Sequence, residues 1–348
     1  MLNWIDDTFG HLWGPLRLLS SFFFLSAVGY AMAALTTWIA LPRLWRFLPR
    51  DRGRAFAVNA EQSVGKPVSA GLIFVSIFCV AALLFVPLSA TCMRTLPFMV
   101  AAMLVGYVDD RRGGLSEYQL AALDFVIAAA VSWTILGFGD SVIWLPGWKA
   151  AITLPPWLAI PLATGVIWLS INATNCSDGV DGVSGSLTAS AIMILGGLLY
   201  TVIGNEVVAS HLAIPANPEG ADWAIFSFLM VGAVCGYLWY NAAPSQVLMG
   251  DAGSRPLGLL IGMLVVATGN PLFLILVGSV IVFNGATGLV KVALMRFFGV
   301  RLLAGIRFPL HDHCRKELGW SNTQVLVRFM LLHLGLSALL TILVLKIR

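Results

Sequence analysis

The residues of this chain that could do chemistry gather in a few short polar stretches. In residues 172–182, Asn-Ala-Thr-Asn-Cys-Ser-Asp-Gly-Val-Asp-Gly, the side chains of Asn172, Asn175, Asp178 and Asp181 recur every third residue. On a helix that spacing keeps side chains near one face, and Gly179 and Gly182 suit a helix end or tight turn. The run can therefore aim several oxygens at one point, as a hard cation requires. Asp109 and Asp110 are adjacent, which at a low-dielectric boundary calls for a cation or for an ion-pair cluster with Arg111 and Arg112. A second polar stretch opens at Asn241 and closes on Gly250-Asp251-Ala252-Gly253-Ser254, where glycines let backbone N–H groups approach a phosphate and Ser254 can cap the next helix. His311-Asp312-His313 stands beside Arg315 and Lys316, a setting that favours phosphate contact over zinc because the chain supplies no soft-ligand cluster. Lys66, between Gly65 and Pro67, is either a phosphate-binding ammonium or one more positive membrane anchor.

The elements that must position these residues are membrane helices. Of the 348 residues, 59% are hydrophobic and only 11% charged, with a mean hydropathy of +0.88, whereas a soluble domain carries about a quarter charged residues. The composition gives an all-α, polytopic membrane protein, a single integral-membrane domain over residues 1–348 with about ten transmembrane helices. Apolar runs lie near 19–42, 69–90, 96–108, 119–139, 157–174, 184–203, 223–242, 255–269, 271–295 and 325–346, the third and eighth being short for a span. Cys79, Cys92, Cys176, Cys235 and Cys314 are odd in number and scattered, which argues against a disulfide framework and a zinc site; Cys176 is a small buried thiol on this reading. Asp6 and Asp7 stand where a signal peptide would carry basic residues, so the first helix is expected to stay.

Lys and Arg set the expected orientation. Arg43, Arg46, Arg50, Arg52, Arg54 and Lys66 follow the first span, Arg111 and Arg112 the third, and Arg296, Arg301, Arg307, Arg315 and Lys316 the ninth. The positive-inside rule places those loops in the cytoplasm and both termini on the periplasmic or extracellular side. Asp109, Asp110, Asp178, Asp181, Asp251 and Asp312 then all face the cytoplasm, and an active site is expected there. The net charge of +4 reflects this bias and implies no nucleic-acid partner. Residues 296–324 mix Arg with Phe and Leu, as an interfacial amphipathic piece or an extension of the ninth helix would.

Taken in order, Gly-Lys-Pro, the Asp pair, Asn-x-x-Asn-x-x-Asp-Gly-x-Asp-Gly, the stretch from Asn241 ending in Met-Gly-Asp-x-Gly-Ser, and His-x-His form one pattern. From about Lys66 to Phe329 the chain resembles the polyprenyl-phosphate N-acetylhexosamine-1-phosphate transferases. Gly-Lys-Pro and His-Asp-His-Cys-Arg-Lys-Glu-Leu-Gly-Trp, followed by Val-Leu-Val-Arg-Phe, look most like the branch acting on a MurNAc-pentapeptide substrate. The resemblance implies a multi-pass enzyme of the bacterial inner (cytoplasmic) membrane, usually a homodimer. Such an enzyme moves phospho-MurNAc-pentapeptide from UDP-MurNAc-pentapeptide to undecaprenyl phosphate with Mg²⁺, releasing UMP and forming lipid I of peptidoglycan synthesis. It also implies that Asp251 ligates Mg²⁺ and that Asp109 and Asp110 act at the lipid phosphate. Asn172, Asn175, Asp178 and Asp181 would line the nucleotide side, Asn241, His311 and His313 would support the diphosphate, and Lys66 would touch phosphate.

The chain also departs from that family's pattern. Asp312 interrupts a run of histidines, Arg111 and Arg112 stand where lysines are usual, and Val-Ser-Ala-Gly follows Lys66-Pro67 in place of Thr-Met-Gly-Gly. Leu248 replaces an aromatic before Met-Gly-Asp, and Arg255 replaces an apolar residue after Gly-Ser. The nearest alternative is a sister enzyme that transfers GlcNAc-1-phosphate. An ion-coupled transporter is more distant, because the acids sit at helix ends rather than mid-span.

Overall fold

A computed structural model describes residues 11, 14–53, 63–301 and 305–347; Asp6, Asp7, Arg54 and part of the 296–324 stretch lie outside the described residues. The protein is a bundle of helices: α1 Phe22–Leu44, α2 Gly71–Phe85, α3 Thr91–Arg112, α4 Glu117–Leu136, α5 Pro156–Cys176 and α6 Val183–Leu198. They are followed by α7 Gly220–Asn241 and α8 Asp251–Ala267, α9 Ser279–Phe298, and then the short α10 Leu310–Lys316 and α11 Asn322–Ile347. Among the described residues, eight helices are long and apolar enough to cross a membrane, α6 among them because the π-helical turn Leu199–Ile203 continues it, and the 15-residue α2 and 17-residue α8 are the shorter ones. Each of the ten apolar runs is thus helical, the ninth in two pieces, Phe273–Val277 and α9. The third helix is longer than its apolar stretch because it also takes in Arg94 at one end and Asp109 to Arg112 at the other; Pro97 lies inside it, and proline is tolerated in membrane helices whose neighbours satisfy the freed backbone groups.

The bundle is built around α8. Its residues are buried from Asp251 to Val265, and it packs against α2, α3, α4, α5 and α6. A helix that is apolar all round belongs in the centre, not at the lipid surface. Lipid supplies little hydrophobic drive between helices, so close small-residue packing and buried polar bonds carry their association. Gly258 and Gly262 of α8 lie against the backbone at Ile171 and Ile167 of α5 with no room for a side chain, and Ser170 Oγ donates to Gly258 O at 2.7 Å. The outward faces of α1 and α11 show Phe23, Leu35, Leu331, Leu339 and Ile342, as lipid contact requires.

Two local features stand out within the bundle, the second of them at Asn284 and Gly285, where the sequence permits a bend. Ser141–Ile143 and Ile152–Leu154 form a small antiparallel hairpin, with Val142 opposite Thr153. It holds the buried Trp144, whose Nε1 donates to Thr268 O at 2.9 Å and whose backbone N–H donates to Gly269 O at 3.0 Å, at the C-terminal end of α8. The second feature is a break in α9, where Val282–Ala286 form a π-helical turn containing the buried Asn284.

Candidate functional site

The site is assembled at the N-terminus of α8. Gly106, one turn before Asp109 on α3, lies against the Asp251 and Ala252 backbone, and Gly71 at the start of α2 lies against Gly253; neither position has space for a Cβ. These contacts bring the last turn of α3 to the first turn of α8. Asp109, Asp110 and Asp251 each offer a carboxylate oxygen there, all within 4.8 Å of one another.

The three carboxylates are not equivalent. Asp110 accepts from Ser69 Oγ (2.6 Å), Asp251 N (3.1 Å) and Ala252 N (3.3 Å), so it caps α8, and its charge suits the positive helix end. Asp109 Oδ1 accepts from Leu115 N at 2.5 Å, tying it to the turn after α3. Asp251 Oδ2 accepts from Arg255 Nε (3.2 Å) and Nη2 (2.9 Å), one helical turn away. Arg255 Nη1 pairs with Asp124 of α4, and both partners are buried. The donor set is all oxygen and suits a hard divalent cation, which takes one or two carboxylates rather than a full protein cage. Among the three, Asp110 accepts hydrogen bonds on both of its oxygens.

A second cluster adjoins the first through a single segment. Residues 67–71 run alongside 248–249, with Leu248 N donating to Pro67 O (2.8 Å), Ala70 N to Leu248 O (3.1 Å) and Gly71 N to Met249 O (3.2 Å). At one end of this segment Ser69 holds Asp110, in a left-handed backbone conformation (φ 72°) that a non-glycine residue adopts only when its surroundings fix it. At the other end Lys66 Nζ donates to Ser245 Oγ at 3.1 Å. Ser245 in turn donates to Asp181 through its hydroxyl (2.7 Å) and its N–H (3.1 Å). Asn241 joins the two polar stretches, accepting from Gly182 N (2.8 Å) and donating to Val247 O (2.9 Å). Asn175 Nδ2 donates to Ser254 Oγ at 3.0 Å.

The every-third-residue pattern of 172–182 does not make one helical face. α5 ends at Cys176, so Asp178 and Asp181 lie beyond the helix. Asn172 donates to Trp168 O of its own helix (2.9 Å) and Asp178 N donates to Asn175 O (3.1 Å), while Asp181 turns to Ser245. The His-x-His segment is helical, in α10, and residues two apart on a helix point about 200° apart. His311 accordingly faces inward and His313 does not join it; His313 Nδ1 accepts from Arg307 N at 3.4 Å.

His311 is 2% exposed and lies against Gly179. Its backbone N–H donates to Asn284 Oδ1 at 2.9 Å, and its ring Nδ1 lies 3.1 Å from the same oxygen. A backbone N–H can only donate, so that atom is the amide oxygen and Nδ1 carries the proton. In the neutral ring Nε2 then presents its lone pair. Burial, helped by Arg315, pushes the imidazole down to about 3, which keeps it neutral near pH 7. Burial raises the Asp312 carboxyl, against the pull of Arg315 and Arg307, which lie 3.7 and 4.0 Å away. The extra negative charge in the His segment is therefore compensated locally.

These shifts have opposite signs in stability. The unfolded chain protonates His311 below about 6.5 while the native state resists, so its contribution is lost as pH falls through that window. Asp312, with its native value raised, contributes more as pH falls. Wild-type protein should therefore lose thermal stability relative to His311→Asn between pH 7 and pH 4; parallel pH curves for the two proteins would contradict a buried neutral imidazole.

Asp124 and Arg255 are the site residues that the motif reading passed over or took only as a departure. The available signal was their charge, since each is ionisable inside an apolar helix and such residues are costly in a bilayer without a purpose.

Residues 92–269 match the family described as glycosyl transferase family 4. Two curated proteins named phospho-N-acetylmuramoyl-pentapeptide-transferase, from two strains of Treponema pallidum, are each 46% identical to this chain over 324 residues, 92% of it and 89% of the relative. A protein of the same name from Nautilia profundicola is 30% identical over 299 residues, 83% of this chain and 84% of its own.

Proposed function

We propose, on the premise that this chain belongs to glycosyl transferase family 4 and within it to the phospho-N-acetylmuramoyl-pentapeptide-transferases, that it makes lipid I from UDP-MurNAc-pentapeptide and undecaprenyl phosphate. A phosphate oxygen of the lipid attacks the sugar-bearing phosphorus of the UDP substrate. The P–O bond to the uridine phosphate breaks, UMP leaves with the bridging oxygen, and a new diphosphate joins sugar and lipid. Such a transfer asks little covalent work of the protein; positioning and charge neutralisation dominate. The observation that carries the reading is the meeting of Asp109, Asp110 and Asp251 within 4.8 Å at the start of the central helix.

On this reading Asp251, with Asp109 beside it, would hold Mg²⁺. When bound, the ion neutralises charge that builds on the diphosphate oxygens. Asp110 keeps the first turn of α8 in place through its three hydrogen bonds. Lys66, held at Ser245, would offer a cation to phosphate, Asn175, Asp178 and Asp181 would line the nucleotide side, and Asn241, bonded to Gly182 N, would support the diphosphate. His311, whose neutral Nε2 lies beside Gly179, would support the diphosphate from α10. A cytoplasmic site in a bacterial inner membrane is supported by the positive-inside distribution of Arg and Lys, and a homodimer by the family resemblance.

UMP release from UDP-MurNAc-pentapeptide in the presence of undecaprenyl phosphate tests the proposal, and it should require Mg²⁺. UDP-GlcNAc should not substitute; if it proves the better donor, the sister activity is the correct one. Lys66→Met should raise KM for the UDP substrate about 10- to 100-fold, the weight of one charge-assisted hydrogen bond. An unchanged KM would reduce Lys66 to a membrane anchor.

A further inference from the structure

The arrangement of Asp251, Arg255 and Asp124 is not explained by the reaction as described. Arg255 is 3% exposed, sits one turn into α8, and places both Nε and Nη2 on the same oxygen, Oδ2, of Asp251. Its remaining arm reaches across to Asp124, which is fully buried two turns into α4. Asp124 Oδ1 has no hydrogen-bond partner among the described residues. Removing two carboxylates and a guanidinium from water costs several kcal/mol per ion, and an apolar trio of similar volume would bind α4 to α8 at least as well. Stability alone therefore does not account for the trio.

We propose that Asp124 and Arg255 are positioning residues for Asp251, with Arg255 acting as a resident cation that holds the metal-binding carboxylate in place and weakens its grip on the divalent ion. The inference rests on the reading of Asp251 as a metal ligand. The guanidinium is planar and does not lose its proton, so its contacts to Oδ2 fix the plane of the carboxylate at every working pH. Asp124, anchored in a different helix, fixes the guanidinium in turn. Without a cation, Asp109, Asp110 and Asp251 would repel one another within 4.8 Å and strain the contact of α3 with α8. Arg255 relieves that repulsion when the metal is absent, and it competes with the metal for Asp251 when the metal arrives. The result is a site already shaped before the ion binds and able to release it.

The test uses full-length protein purified in detergent and stripped of metal, with Mn²⁺ as the probe, followed by electron paramagnetic resonance. The pair Asp124→Leu with Arg255→Leu removes one buried charge of each sign and leaves Asp251 without its cation. Stripped of metal it should melt below wild type, and added Mn²⁺ should restore most of the difference. Its Mn²⁺ dissociation constant should fall about 10-fold, because the nearer of the two charges removed is the cation, while kcat falls about 10- to 100-fold as the carboxylate loses its orientation. Wild-type Mn²⁺ affinity and kcat in that folded variant would overturn the proposal and leave a structural clasp between α4 and α8. If the double variant does not accumulate, Arg255→Lys keeps the charge and loses the planar fork. It should lower kcat at least about 10-fold with Mn²⁺ affinity within about threefold of wild type, and an unchanged kcat would likewise overturn the proposal. Asp251→Asn separates the two readings. If it binds Mn²⁺ as wild type does, the assignment of Asp251 as ligand fails, and the positioning role fails with it.

Discussion

Replacing Asp251 with asparagine should cut turnover by about 10²- to 10³-fold at pH 8 and saturating Mg²⁺, a larger loss than Asp109→Asn produces. The ordering follows from the acceptor's own chemistry. A phosphate monoester has a second pKa of about 6, so the lipid phosphate is already a dianion near pH 8, and a protein base gains little by removing its last proton. What remains to be supplied is neutralisation of charge on the diphosphate, and on the proposed reading Asp251 holds the cation that does it. Asparagine keeps the size of the side chain and an oxygen for Arg255, so the loss should appear in kcat with only a small change in melting temperature. UMP release measured from pH 6 to 9 decides the matter. An Asp109→Asn enzyme inactive at every pH beside a working Asp251→Asn enzyme would invert the assignment. Single-turnover reactions without lipid acceptor add a second reading: stoichiometric UMP release would mark a covalent phospho-enzyme, and direct transfer predicts none.

Gly106→Ala should be almost as damaging although it adds only one methyl group. The new Cβ would overlap the backbone of Asp251 and Ala252, and backbone in a buried helix cannot move aside as a flexible side chain can. Overpacking of this kind costs about 1–3 kcal/mol, and a shift of about 1 Å between reacting groups costs about 10²-fold in rate. We expect a lower melting temperature together with a loss in kcat of that order. Gly165→Ala in α5 is the matched control, because a Cβ there meets open space. Equal behaviour of the two variants would mean that the contact of α3 with α8 is not what sets the site.

Much of this architecture was legible in the sequence, for identifiable reasons. Hydropathy locates helices well in a membrane protein because the bilayer core permits few other structures, and each of the ten apolar runs is helical. The hairpin escaped because strands of three residues have no readable period, and its anchor is one tryptophan bonded to the end of a distant helix. The acidic cluster was legible as separate motifs. Its convergence was not, since that depends on Gly106 and Gly71 admitting backbone against backbone, and nothing local distinguishes such glycines from Gly165. The period-three pattern of 172–182 misled because the helix stops at Cys176 while the spacing of polar residues runs on past it. The His segment misled in the opposite sense, being helical where a loop was expected.

The break in α9 gives the two sides of the active site different mechanical characters. α8 is clamped at its first turn by Asp110 and at its last by Trp144, so it behaves as a post fixed at top and bottom. The opposite side hangs from Asn284, in a π turn of a helix whose following turns, Thr287–Phe298, bury none of their described residues. The carboxylates are thus carried by α3 and α8 and the inward-facing histidine by α10 against α9, so the two sets of polar groups stand on separate supports.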